Sequence, residues 1–461
     1  MPNTTPRCQY DDALGSPERI DSHAGRRPLL LDADRLPPGA PKARPFRAAA
    51  QSILCAALFA GWYASGTVLF AAERYEAPPI FQALKLFPLG LVKGPNHQVE
   101  ERVLNDGYMN HYRIHTRFGD LDAASTAELK IRIDEANALA AMEQVKGTQQ
   151  FSRYLVQGGK DTLAGAKALI RSPVKTVNGA VSGVGKLFER AGASLLGNPP
   201  SDAEDGRLEN LIGFSSTKRD YAAEFGVDPY SSNPVLQERL DEIAWAGYAG
   251  KITASAALSL VSGGAGIAIS TSKTSNWLAG IPLKAAPADL RARNHKNLTT
   301  MGVSPEVVDL FLANTVYTPV QQTKLVNALA EMQGVDDRGQ FVKFAVLTRD
   351  PEVAFFRARQ AEMYARFHKR VSKVKQFVPL GELAAARLAD GTLVFCAPLD
   401  HLAWTQTMAN YVLAANQNVT AAPAIKAKQL QVAGTVSPLA RAALEQHGSK
   451  VQKRQEGRLI D

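Results

Sequence analysis

The chain has 461 residues, 45% of them hydrophobic and 21% charged, with a formal net charge of +9 and three cysteines, Cys8, Cys55 and Cys396. This is an ordinary globular composition, long enough for two or three domains with cores of their own, and so few thiols exclude a disulfide framework or a CxxC metal site. The positive charge is local: residues 1–47 hold eight basic and six acidic residues, 48–72 hold none, and 148–199 hold seven basic against two acidic.

Residues 1–47 are rich in Pro, Arg and Asp without periodicity and read as a disordered N-terminal extension. The run "AAAQSILCAALFAGWYASGTVLFAA" over 48–72 is uncharged and follows Lys42, Arg44 and Arg47. It reads as a signal peptide or an N-terminal membrane anchor, with cleavage sites of modest quality at Leu69-Phe70-Ala71 or Phe70-Ala71-Ala72. The pair Arg26-Arg27 is not a twin-arginine signal, because Asp32 and Asp34 interrupt the lead and the apolar run starts too far downstream.

Residues 73–147 read as a small α+β unit. An Asn-Asp-Gly turn is followed by strict alternation, with Tyr108, Asn110, Tyr112, Ile114, Thr116 and Phe118 on one face and Met109, His111, Arg113, His115 and Arg117 on the other, which predicts a half-buried strand. On a strand His111 and His115 stand roughly 13 Å apart, too far to share a metal ion, so a solvated cationic face is expected. Ser125 and Glu128 have capping-box spacing before a helix whose Leu129, Ile133, Ala136 and Leu139 share a face.

Residues 148–199 form a basic amphipathic helical segment. At 100° per residue, the apolar positions from Leu163 to Leu195, among them Val177, Val181 and Phe188, fall in an arc of roughly 100°. Lys160, Lys167, Arg171, Lys175, Lys186 and Arg190 fall outside it, and Ser172-Pro173 splits the run in two. In "VKTVNGAVSGVGKLF" the Gly, Thr and Val content makes a helix too weak to stand alone in water, so it must lie on something: the protein's own core, or an anionic membrane surface. Its Thr/Gly/Val character is similar to the membrane-binding repeats of synucleins and perilipins.

Residues 200–372 read as a helical domain. Asn233-Pro234, Ser304-Pro305, Thr318-Pro319 and Asp350-Pro351 each place a capping residue before a proline at the first helical position, and Thr318 and Gln321 have capping-box spacing. Asp228, Ser231, Ser232 and Asn233 carry oxygens that a cation would use, but turn and cap chemistry accounts for them. The uncharged "ITASAALSLVSGGAGIAISTS" is too rich in Ser and Gly to span a bilayer and reads as a buried Gly-rich hairpin, with a shallow insertion as the alternative.

Residues 373–461 read as a small α/β unit. An Asp-Gly turn sits between two strand-like runs in "LAAARLADGTLVFCAPL", and "LQVAGTVSPLARAALEQHGSKVQ" reads strand, Ser437-Pro438 helix start, Gly448, strand. Asp400, His401 and Thr405 lie where strand ends would meet and are the candidate site for an enzyme. There is no GxSxG, HExxH, Walker A or GxGxxG motif.

The segments "YEAPPIFQALKLFPLGLVKGPNH", "NDGYMNHYRIHTRFG", "FGVDPYSSNPVLQERLDEIAWA" and "APLDHLAWT" resemble a set of uncharacterised exported proteins of Gram-negative bacteria. The resemblance covers most of the chain after residue 73; it implies an exported destination and supplies no catalytic residue.

The sequence therefore predicts an α+β, predominantly helical fold: a small N-terminal strand-plus-helix unit, a central helical region and a small C-terminal mixed α/β unit. The expected function is that of an exported, non-catalytic envelope protein, in the periplasm or anchored facing it, which meets an anionic lipid surface or an envelope protein partner through 148–199. A hydrolase-like enzyme with its site in the C-terminal unit is the alternative. No cofactor or metal is expected, and no nucleic acid, since the basic segment lacks interleaved aromatics.

Overall fold

Alternation in the 108–118 stretch produces the central strand of the first sheet. The computed structural model describes residues 75–149, 151–153, 202–259, 274–380, 383–420 and 425–452. In it, strands β1 (Ile80–Gln82), β2 (Lys93–Gly94), β3 (His97–Val99), β4 (Arg102–Asn105), β5 (Asn110–Thr116) and β6 (Gly119–Ala123) form one six-stranded sheet. β3 and β4 pair one after the other along the same side of β5, with Val99 opposite Ile114 and Leu104 opposite His111, while β6 pairs with β5 through Tyr112 and Ala123. Short helices α1 (Ala83–Leu86) and α2 (Leu89–Val92) link β1 to β2.

The inward face of this sheet, Val99, Val103, Tyr112, Ile114, Leu121 and Ala123, packs on Leu129 and Ile133 of α3 (Thr126–Lys146). Ser125 caps α3 by accepting the Glu128 N–H, and Glu128 reaches back to the N–H of Ala124 at 2.9 Å. Farther along, Leu139, Met142 and Val145 of α3 meet Tyr221 and Phe225 of α4 (Asp202–Phe225) and Leu236, Leu240 and Ile243 of α5 (Pro234–Gly250). A helix packed on both sides is buried over most of its surface, which is why α3 carries so many alanines.

After α6 (Ala254–Ser259), the chain runs through α7 (Pro287–Thr300), α8 (Pro305–Ala313), α9 (Pro319–Glu331), α10 (Arg338–Val346) and α11 (Pro351–Arg370). Thr318 and Gln321 form the complete capping box at the start of α9, and Asn233 and Asp350 cap α5 and α11 through their side chains. Ser304 stands at the N-cap of α8 without a side-chain bond. The C-terminal part supplies β7 (Val374–Leu380), β8 (Leu383–Leu388), β9 (Thr392–Ala397), β10 (His401–Leu402), α12 (Gln406–Thr420), β11 (Ala427–Val432), β12 (Thr435–Val436), α13 (Pro438–Gln446) and β13 (Ser449–Gln452). β7, β8 and β9 are antiparallel neighbours, β9, β11 and β13 are parallel, and the five-stranded order is β13-β11-β9-β8-β7. β10 and β12 make a parallel pair of their own.

The expected fold class does not hold. The chain is not predominantly helical with small strand-bearing units at its ends, because a six-stranded sheet forms its N-terminal part and five-stranded and two-stranded sheets its C-terminal part. The sequence understates the strands for physical reasons. β1 to β4 are two to four residues long, too short to show a period of two. β8 reads "LAAARL", good helix formers recruited to a sheet by burial, and β7 contains Pro379, which is tolerated because β7 lies at the end of the strand order. The C-terminal sheet also shares a core with the helices before it: Phe341, Tyr364 and Phe377 pack ring against ring, with Val394 and Cys396 in the same cluster.

Candidate functional site

The residues singled out as a membrane or partner surface, Lys160, Lys167, Arg171, Lys175, Val177, Val181, Lys186, Phe188 and Arg190, lie outside the described residues, as does the run 48–72. The candidates within them can be followed side chain by side chain.

Asp400, His401 and Thr405 do come together at one place, where the turn 105–110 of the first sheet docks on 399–405. The Asp400 carboxylate accepts the backbone N–H groups of Asn110 and Thr126, both at 3.0 Å. Burial raises its pKa against the opposing pull of these bonds. His401 shares a hydrogen bond of 2.6 Å with the Thr435 hydroxyl and meets the Phe81 ring edge-on at 4.9 Å; burial lowers its pKa. Thr405 caps α12 by accepting the Met408 N–H at 3.2 Å and packs against Gly107, whose φ of 109° a side chain would not adopt readily. These groups hold two sheets together. Asp400 faces backbone amides rather than His401, and Thr405 is taken up by the Met408 N–H, so these three residues do not form a carboxylate–histidine–hydroxyl relay.

The face expected to be cationic on β5 is paired with acids. Asp106 meets His111 at 3.0 Å, Asp122 meets Arg113 at 3.1 Å and Asp120 meets His115 at 2.9 Å. Each histidine thus has its own carboxylate, and among the described residues no group of three or more His, Cys, Asp or Glu is arranged to hold a metal.

The 228–233 loop closes around α3. Arg132 pairs with Glu135 at 2.9 Å and Glu128 at 2.8 Å and donates to Ser232 at 2.8 Å. Glu135 in turn accepts from Asn233 at 2.9 Å and from the Ser231 hydroxyl. A buried ion pair needs such added hydrogen bonds to offset the loss of water, and the oxygens that suggested a cation provide them. Asp228 is buried beside this network; desolvation, aided by Glu135, pushes its pKa up to about 7, while the Tyr230 N–H pulls it down.

A cleft lies where α3, the 274–277 segment and α11 meet. Ala127, Lys130 and Ile131 line it from α3, Thr274, Ser275, Asn276 and Trp277 from the segment, and Arg359, Glu362 and Arg366 from α11, around a space of about 20 Å³, enough for one water. Asp134 fixes the segment by accepting the N–H of Thr274 at 2.7 Å and of Ser275 at 2.9 Å. Trp277 is buried, packed on Phe355 at 4.8 Å with the Lys324 ammonium 5.4 Å from its ring centre. Sequence reasoning missed this cleft. Its only local signal is Arg359, Glu362 and Arg366 at spacings of three and four on one helix, which on an Arg-rich helix reads as a solvated face.

No family model, curated protein or solved structure matches the chain. The functional reading therefore rests on this chain's own residues.

Proposed function

We propose that this is an exported, non-catalytic envelope protein that associates with an anionic membrane surface. The observation that carries the reading is a set of exposed apolar side chains near the start of the described residues: Ile80, Leu84, Leu89 and Leu104 are 56%, 54%, 65% and 47% exposed. Ile80 and Leu104 are direct cross-strand partners, and Leu84 and Leu89 flank the Phe87-Pro88 bend between α1 and α2. Lys85, Lys93 and Arg102 on the same stretch of chain are exposed as well, and a mixture of apolar and basic side chains suits a lipid interface. The basic segment 148–199, which follows α3, supplies further attraction of about 1 kcal/mol per basic residue near such a surface. Nothing in the arrangement of Asp400, His401 and Thr405 favours the hydrolase-like alternative.

The test is flotation of the purified chain with vesicles of phosphatidylglycerol and phosphatidylethanolamine. Wild type should float at low salt and release as salt rises, since exposed charges are screened within roughly 10 Å at 0.1 M. The L84D/L89D pair and the triple reversal K167E/R171E/K175E should each weaken binding without lowering the melting temperature. Failure of wild type to float at low salt would overturn the proposal.

A further inference from the structure

We propose that the loop 228–233 is a pH-operated latch on α3, closed while Asp228 carries a proton and opened when it ionises. The inference concerns the described residues alone and does not rest on the membrane reading.

The latch joins two helices that are distant in the chain. Just before α5, the loop holds α3 through side chains: Arg132 donates to Ser232 at 2.8 Å, and Glu135 accepts from Asn233 at 2.9 Å and from the Ser231 hydroxyl. On its other side the loop belongs to α5. Gln237 donates to the carbonyls of Pro229 and Ser231 at 3.2 and 3.0 Å, and the Asn233 side-chain oxygen caps the helix. These bonds do not involve α3, so the loop keeps its shape and its helix when it lets go of Arg132 and Glu135.

Charge supplies the trigger. Arg132 is one guanidinium between two carboxylates, Glu128 at 2.8 Å and Glu135 at 2.9 Å, so the network is already negative before Asp228 is counted. Asp228 is 8% exposed, and its carboxylate accepts one hydrogen bond, from the Tyr230 N–H at 2.8 Å. Among the described residues no cation pairs with it: Arg132 is committed to the two glutamates, and Arg219 of α4 acts on Tyr230. Tyr230 itself stays neutral, because burial pushes its pKa up to about 12.

A carboxylate buried with one hydrogen bond and no counter-ion, beside a second carboxylate, resists ionisation unless it can reach water. Burial, aided by Glu135, pushes the Asp228 pKa up to about 7 in the closed loop, whereas a hydrated aspartate keeps its ordinary value of 3.8. Ionised in place, Asp228 sets three carboxylates against one guanidinium. Swinging the loop outward hydrates Asp228 and leaves the pairs of Arg132 intact, and water replaces the hydroxyl and amide bonds that are lost. By linkage, the opening equilibrium should rise by up to about tenfold for each pH unit between about 4 and about 7, and level off above that.

Hydrogen exchange of the full chain, read by mass spectrometry over about pH 5 to about pH 8 and corrected for the intrinsic rate, tests the latch. Protection of a peptide covering 228–233 should fall by roughly tenfold per pH unit up to about pH 7, while remaining well below that of a peptide covering 136–145 in α3. D228N should flatten the fall. The latch is overturned if protection of the loop does not change with pH, or if D228N keeps the wild-type slope. It is equally overturned if the loop is protected as strongly as 136–145 at every pH, since the loop then opens only when the whole protein unfolds. Should D228N not fold, the carboxyl carbon of Asp228 in the wild type is titrated by NMR: a midpoint above about 6 supports the latch, and any lower value overturns it.

Discussion

The carboxylate of Asp400 accepts the backbone N–H of Thr126, the first residue of α3, at 3.0 Å across 274 residues of chain. It takes the Asn110 N–H at the same distance, so one side chain from the C-terminal part completes both the start of a helix and the start of a strand in the N-terminal part. An anionic acceptor at a helix N-terminus is favoured by the unpaired amides and the helix dipole there.

Removing that acceptor should be felt in both parts. Asp400→Ala leaves two buried N–H groups unpaired and should lower stability by about 2–4 kcal/mol, whereas Asp400→Asn keeps an acceptor oxygen and should cost about half of that or less. Urea denaturation measures the difference. Hydrogen exchange should show the amides of Thr126 and Asn110 losing protection in the alanine variant first.

Gly434 guards the same junction from the other side. A Cβ there would overlap the carbonyl oxygen of Asp400, whose backbone cannot yield because Thr435 N–H is bonded to that oxygen at 3.1 Å. Gly434→Ala should destabilise by roughly 2–4 kcal/mol. Gly339→Ala in α10 is the control: nothing lies nearer than 3.7 Å, and the helix should gain about 0.5–1 kcal/mol, read as a rise in melting temperature.

Asp228 should make stability depend on pH. Its folded pKa of about 7 lies above the ordinary value of 3.8, so its contribution is fully present below pH 3.8 and is lost as pH rises through about 7. The loss is of the order of 4 kcal/mol at most, from roughly three pH units at about 1.4 kcal/mol each. Asp228→Asn retains an oxygen for the Tyr230 N–H, now at 2.8 Å, and should flatten the decline between about pH 4 and about pH 7 in urea melts. Asp400 shifts in the same direction, so a smaller slope should persist.

His111 should behave in the opposite sense. The hydrogen bond to Asp106 is the largest of the effects that raise its pKa above 6.5, so its contribution to stability is present below that value and is lost as pH rises through the folded pKa. NMR titration of the imidazole should place its midpoint above 6.5 in the wild type, and Asp106→Asn should bring it down.

What was legible in the sequence was what neighbouring residues decide. Ser125, Asn233, Thr318, Asp350 and Ser437 each accept an N–H two or three residues ahead, and the Asp390-Gly391 turn joins β8 to β9 as its two residues require. The loop 228–233 was read correctly as cap and turn chemistry, yet its second role, closing around the buried Arg132 and Glu135, depends on residues about a hundred positions away. The fold class failed for the same reason: a two-residue strand such as Lys93–Gly94 exists only because a partner strand is there to receive it. The cleft was illegible because Lys130 and Arg366 become neighbours only when α3 meets α11.

Glu76, near the start of the described residues, donates its N–H to the Trp404 carbonyl at 2.8 Å, and its carboxylate accepts the Trp404 N–H and the Ser437 hydroxyl, both at 2.5 Å. The segment at Glu76 is thus completed by residues more than three hundred positions later in the chain. The loop closed by Glu76 and Ser437 spans 361 residues, and long-range closure of that kind slows folding. β1 itself pairs locally with β4, so what waits for the last helix is the Glu76 carboxylate rather than the strand.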